Sequence, residues 1–272
     1  MGSNAVDIDA ITAAVPEVAD LTVVPRFQAL AAADITEKTP GDYVTVADHE
    51  CEAMLTDRLV KIAPDIPVLG EEAAAANPQL TARLMSEDRV FVMDPVDGTR
   101  AFIDGRTDFA VMLALIEKGE TTAAWIWQPI PRVMFSAIRD GGAWRDGVPV
   151  RRHAAIPTQL SELHGFAKTG HMDDTTYRTV SANMHHLGSV GPGPASAGFI
   201  YPELAQGKTD FAMFWRTLPW DHAPGSLIAQ EAGCYVARLD GTPYRADGSG
   251  EGILGAANRD TWQLVRDALL GD

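Results

Sequence analysis

Cysteine is almost absent. Cys51 and Cys234 stand far apart, which leaves no disulfide framework and no thiolate metal pattern. So few thiols suit a reducing cytoplasm. Long apolar runs are missing too. No stretch of about 18 consecutive apolar residues occurs, so no membrane span is expected. The opening MGSNAVDIDA lacks the basic flank and apolar core of a secretory leader. Val6 stands where an N-myristoylation signal carries Ser or Thr, and the first few residues read as a tag remnant. Positive charge is scarce: 22 Lys and Arg face 37 Asp and Glu, a net charge of −15. That gives no basic face for a nucleic acid. It also repels anions at long range, so an anionic substrate would need a recruited cation, with a divalent metal as a candidate. Most of the charge reads as solvated surface. No G-x-S-x-G elbow occurs, which argues against a serine hydrolase. The histidines show no metal spacing; only His222, beside Asp221, draws interest. QGKTD resembles the end of a P-loop but lacks the upstream glycine.

What is present fits a globular chain. Hydrophobic residues make up 46%, enough for a sizeable core over 272 residues. Residues 6–33 predict a first helix, interrupted by Pro16 and Pro25. Residues 37–48 read as a turn and a short extended piece. Asp48 is placed as N-cap of a second helix, with Cys51, Met54, Leu55, Leu59 and Ile62 near helical spacing. Short β-like runs then follow closely: IPVLG, RVFVMD, FAVMLALIEKG, TAAWIWQPI and VMFSAIRDGGAW. These predict an antiparallel sheet flanked by the first two helices. After about residue 150 the pattern becomes α/β, with helices over 173–185, 195–206, 221–232 and 259–270 between strands near LHGFA, DFAMF, CYVARL and GILGAA. RRHAAIPTQLSE is the seam.

The chemistry concentrates in acids. In FVMDPVDGTRAF an apolar strand gives way to Asp94, Pro95 and Asp97. Both carboxylates can face one pocket, and with a turn carbonyl such as that of Val96 they suit Mg²⁺, which prefers oxygen ligands. Gly98 and Thr99 open a short helical turn whose free N–H groups suit phosphate. Taken alone, DPVDG is equally a solvated Asp-Pro turn. Glu71 and Glu72 follow another apolar run. In an extended chain they would point opposite ways, so one of them would face a shared pocket. They also read as the acidic first turn of a helix, EEAAAA. Asp221 stands where a helix begins, with Pro224 in its first turn and Gly233 at its end, and alone it reads as an N-cap.

Together, GEE, DPVDGTRAF and WDHAPGSLIAQEAG, in that order, resemble the three signatures of the inositol monophosphatase family. Lys38, Asp42, Val44, Thr45, Ala47 and Asp48 resemble its N-terminal segment, and the resemblance runs from about residue 35 to the last helix. It implies a layered α-β-α-β-α sandwich: one phosphatase domain over 1–272, with subdomains of about 1–150 and 151–272. It implies Mg²⁺-dependent hydrolysis of a small phosphate monoester with two to three Mg²⁺ ions. Glu71, Asp94 and the Val96 carbonyl would hold one ion; Asp94, Asp97 and Asp221 would hold a second; Glu71 would help place a third. Thr99, paired with Asp48, would orient and activate a water held by metal, and Lys38 is counted with Asp48, Glu71 and Thr99 as catalytic. Asp97, Gly98, Thr99, Ala197, Phe214 and Arg216 would contact substrate. Water would attack in line with no phosphoenzyme; the Asp-x-x-Asp spacing departs from the Asp-x-Asp of phosphoaspartate enzymes. A cytoplasmic homodimer, with no nucleic-acid or membrane partner, is the expected state.

One departure stands out. Family members that act on inositol phosphate carry a glutamate where this chain has Phe214, and an aromatic ring cannot accept hydroxyl protons. Phe214, Trp215 and Arg216 would suit a flatter or more anionic substrate, such as histidinol phosphate or a 3′-phosphorylated adenosine nucleotide; Phe214 and Trp215 equally read as strand core. The rival from another class is a non-catalytic interaction protein that keeps the fold.

Overall fold

The computed structural model describes residues 6–271 apart from 154, 248–249 and 251. The stretch read as a tag remnant therefore lies outside the described residues.

The chain opens with α1 (Ile8–Thr22), capped by Asp7, whose side chain accepts from the Ala10 N–H. Pro16 is held inside it, yet the helix stops well short of residue 33. Pro25 is the cause: it has no N–H to donate, and its ring crowds the carbonyl one turn back, so Val24–Arg26 forms only a 3-10 turn. A hairpin follows, β1 (Ile35–Thr39) and β2 (Asp42–Thr45), with Gly41 at φ +84° in its turn. Next comes α2 (Val46–Ile62), whose N-cap is Thr45 rather than Asp48. Asp48 stands three residues into a capping box: its Oδ2 accepts from the Thr45 N–H at 2.8 Å and the Thr45 hydroxyl at 2.5 Å.

Seven strands form the first sheet: β3 (Val68–Gly70), β4 (Arg89–Asp97), β5 (Ala110–Glu117), β6 (Glu120–Gln128), β7 (Val133–Ile138), β8 (Gly142–Arg145) and β9 (Val148–Val150), paired in chain order. All pairs are antiparallel except β3 with β4. Between these two strands lie α3 (Glu71–Ala76) and α4 (Arg83–Ser86), and α5 (Thr99–Ile103) leads from β4 to β5. EEAAAA is thus helical, as its alternative reading had it.

Alternation then decides the layers. Phe91, Met93, Leu113 and Trp125 pack under α1 and α2. Their neighbours Met112, Ala124 and Ile126 face the other way, towards α7 (Ala197–Ala205) and α8 (Pro219–Glu231). The second sheet has the order β11-β10-β12-β14-β13, from β10 (His164–Lys168), β11 (Ser189–Gly191), β12 (Phe211–Phe214), β13 (Tyr235–Arg238) and β14 (Ile253–Ala256). Its far face is covered by α6 (Asp174–Asn183) and α9 (Arg259–Leu270). The stack is helices, sheet, helices, sheet, helices, as the resemblance implied.

At the seam, the almost fully buried Arg152 side chain binds the Leu204 and Thr209 carbonyls and pairs with Asp210 at 2.8 Å. In the central layer α7 and α8 meet at Gly225, where a Cβ would lie 2.0 Å from the Tyr201 ring. α8 starts with Leu218 as N-cap and Pro219 inside the first turn. Asp221 is therefore a first-turn residue and not the cap, and Pro224 sits deeper in the helix than its first turn.

Candidate active site

The strand β4 does not stop at Asp94. It runs to Asp97, with a register shift against β5 between the two aspartates. That irregularity brings both carboxylates to one end of the sheet. Asp94 Oδ1 accepts from the Val96 N–H at 2.9 Å, which closes a tight local turn. Gly98 follows at φ +93°, a conformation that favours glycine; a Cβ there would also be tight, 3.1 Å from the Asp108 carbonyl and 3.2 Å from the Ser196 Cβ.

Three acids from three elements converge. Glu71 from α3, Asp94 from β4 and Asp221 from α8 bring carboxylate oxygens within 4.8 Å of one another. Burial pushes Asp94 well above the usual carboxylate range, and the charges of Glu71, Asp97, Asp221 and Asp48 push it further. Asp221 is raised in the same way, by burial first and then by Glu71 and Asp97. Carboxylates crowd like this at a real cost unless a cation sits among them. The donors are all oxygen, which fits a hard divalent ion such as Mg²⁺.

Asp97 is not in that trio. Its Oδ2 accepts from the Ser196 hydroxyl at 2.5 Å and the Gly198 N–H at 2.6 Å, which ties it to the start of α7. Burial raises it to about 6 against the pull of those two bonds. Its carboxyl still lines the cleft beside Asp94 and Asp221. Asp48 is buried and raised to about 6 by that burial, with the Thr45 bonds opposing. The Thr99 hydroxyl lies 3.3 Å from Asp48 Oδ1 and 3.0 Å from the Val96 carbonyl, so the structure brings Thr99 and Asp48 together, with two acceptors for the one hydroxyl proton. Lys38 Nζ reaches Glu71 at 3.1 Å and Glu72 at 2.9 Å. Burial disfavours its charge, but the two glutamates more than offset this and hold its pKa above the ordinary value. Glu71 alone of the two glutamates joins the trio.

Two clefts adjoin here, of about 280 and 290 Å³, sharing Asp97, Ala195, Arg216 and Asp221. The first holds Glu71, Asp94, Gly98 and Thr99. The second holds Ala197, Phe214 and Trp215, together with Lys168 and His171, which the sequence did not single out. Phe214 is both wall and core: it lines the second cleft, yet is 5% exposed and stacked on Tyr201 at 5.1 Å. His222 is locked. Its Nε2 lies 2.8 Å from the Arg216 carbonyl, and its Nδ1 lies 3.0 Å from the Tyr201 hydroxyl. Only a ring N–H can bond the carbonyl, so Nδ1 accepts. Burial lowers its pKa to about 4, so it stays neutral.

A family model described as the inositol monophosphatase family matches residues 5–268. The chain belongs to that family. Among inositol monophosphatase family members it is 29% identical over 218 residues to the Thermotoga maritima fructose-1,6-bisphosphatase/inositol-1-monophosphatase, covering 78% of each chain. It is 31% identical over 216 residues to the Salmonella typhimurium 3′(2′),5′-bisphosphate nucleotidase CysQ, covering 77% of this chain and 84% of that one. The crystal structure of the extragenic suppressor protein suhB from Bartonella henselae superposes with a TM-score of 0.81 at 25% identity, over 96% of this chain and 97% of that one.

Proposed function

We propose that the chain, acting as one phosphatase domain, is a divalent-metal-dependent phosphomonoesterase. The observation that carries this is the convergence of Glu71, Asp94 and Asp221 next to the Asp48–Thr99 pair. Glu71, Asp94, Asp97, Asp221 and the Val96 carbonyl would hold two to three Mg²⁺ ions. When bound, the metal would neutralise phosphate oxygens, lower the pKa of water and stabilise the leaving alkoxide. The protein's own groups do the rest. The Thr99 hydroxyl orients the attacking water, and Asp48 takes up the hydrogen bond that Thr99 gives. Gly98 and Thr99 N–H groups receive the phosphate at the start of α5. Lys38 holds Glu71 in place. Ala197, Phe214 and Arg216 meet the leaving group.

The substrate is a small phosphorylated metabolite, an inositol-phosphate-like alcohol or sugar phosphate. A second reading, a 3′-phosphorylated adenosine nucleotide or histidinol phosphate, is favoured by Phe214 and by the cations Lys168 and Arg216 on the second cleft. A cytoplasmic homodimer is the proposed state, and sedimentation reads the oligomer directly. The deciding experiment is hydrolysis of p-nitrophenyl phosphate with Mg²⁺ and with EDTA, followed by kcat/KM on inositol 1-phosphate, histidinol phosphate and adenosine 3′,5′-bisphosphate. Full turnover in metal-free buffer would sink the proposal. No turnover of any substrate, with a stable protein partner captured, would favour the interaction-protein reading.

A further inference from the structure

The short helix α3 has no cap of its own. Its N-cap is Gly70, which offers no side chain to the N–H groups at the helix start. Glu52, from α2, fills that place: its Oε2 accepts from the Glu72 N–H and its Oε1 from the Ala73 N–H, both at 2.8 Å. The Gly70 backbone, at φ −90° and ψ 157°, is open to any residue, so conformation does not ask for glycine. Space does. A Cβ at Gly70 would lie 2.1 Å from the Glu52 Cδ and 2.2 and 2.6 Å from its two oxygens. A side chain at that position and the Glu52 carboxylate cannot share the space, so glycine is what lets a carboxylate from another helix take the capping place.

The placement is also costly. Burial raises the pKa of Glu52, the two N–H groups pull it back, and Glu71 repels it. What it fixes lies next to it. Glu71 immediately precedes the two bonded N–H groups, and its carboxylate meets Asp94 and Asp221. Asp48 lies about one turn before Glu52 on α2. One face of that helix thus reaches both the Thr99 hydroxyl and the start of α3.

We propose that Glu52 is a positioning residue of the metal centre: seated in the space that Gly70 leaves open, it sets the backbone from which Glu71 reaches Asp94 and Asp221. This rests on the metal-centre reading above. The test uses the full chain, with binding of Mn²⁺ alone followed by electron paramagnetic resonance, beside the Mg²⁺ dependence of p-nitrophenyl phosphate hydrolysis. Glu52→Gln removes the charge and turns an amide NH₂ towards the backbone donors. Gly70→Ala evicts the carboxylate while leaving its charge. Each is expected to weaken Mn²⁺ binding about 10-fold or more and to raise the half-saturating Mg²⁺ concentration in step. At saturating Mg²⁺, kcat is expected to recover to within about threefold of wild type. Because both variants break one contact, the double variant is expected to cost no more than the worse single one. Asp7→Ala, which uncaps the remote α1, is expected to lower the melting temperature alone. Unchanged Mn²⁺ affinity with only a lowered melting temperature overturns the proposal. Glu52→Asp, charged but too short for both N–H groups, decides the matter if Glu52→Gln does not fold. Wild-type protein that binds no Mn²⁺ overturns the metal centre itself, a distinct result.

Discussion

The two adjoining clefts share a wall and differ in almost everything else. The first gathers Glu71, Asp94 and Asp221, with Asp48 behind Thr99. The second carries Lys168, which donates to the Pro194 carbonyl, and both share Arg216, which forms no ion pair among the described residues. In a chain with a net charge of −15, these two cations act on nearby acids: Lys168 lies in the field of Asp97 and Asp108, and Arg216 in that of Asp221. The acids of the first cleft suit chemistry common to many phosphate esters. The mixed wall of the second suits selection among them. A chain can therefore keep one and redraw the other.

The largest expected effect breaks the first cleft. Asp94→Asn is expected to lower p-nitrophenyl phosphate turnover on the order of 10³-fold, and EDTA should match it. Thr99→Ala comes next, with a loss in kcat on the order of 10²-fold and little change in KM. A readout without substrate follows from the crowded acids. Asp48 and Asp97 titrate at about 6 in the fold, above the ordinary carboxylate value, because both are buried. The folded state therefore holds their protons more tightly. That contribution is complete below the unfolded-state pKa of about 4 and is lost as pH rises through about 6. Metal-free protein should thus show a lower urea midpoint at pH 7.5 than at pH 5, and Mg²⁺ should lift the pH 7.5 value most. The smallest effect sharpens the second cleft. Lys168→Met is expected to change kcat/KM by about tenfold on some members of the substrate panel and so to reorder it. An unchanged order would mean that this cleft does not select.

How much was legible follows the same division. Asp94, Asp97, Gly98 and Thr99 lie in one short run, so their shared end of β4 could be read from spacing. The strand's continuation through a bulge could not, because Pro95 reads as a stop until β5 supplies the pairing partner for Asp97. Local sequence makes Asp48 and Asp221 look like N-caps, whereas each stands about one turn inside its helix. In each case a nearby residue, Thr45 or Pro219, made the better start. Lys168, His171 and Ser196 carry no local signal. They reach the site only through the order of the second sheet and the approach of α7, which no window of sequence displays. Glu52 did have a signal, an acid about one turn beyond Asp48 on the same helix face, but its purpose depends on the missing side chain of Gly70.

The contact between α7 and α8 bears on how this chain can be recombined. Gly225 lets the Tyr201 ring lie where a side chain would otherwise stand. Asp221 precedes that contact by about one turn of α8, and the bonds from Ser196 and Gly198 to Asp97 sit at the other helix's start. A chimaera that takes one of these helices from a relative and leaves the other must preserve the ring-to-glycine fit. Otherwise the two carboxylates that these helices hold lose their common frame, although no residue of the cleft has been changed.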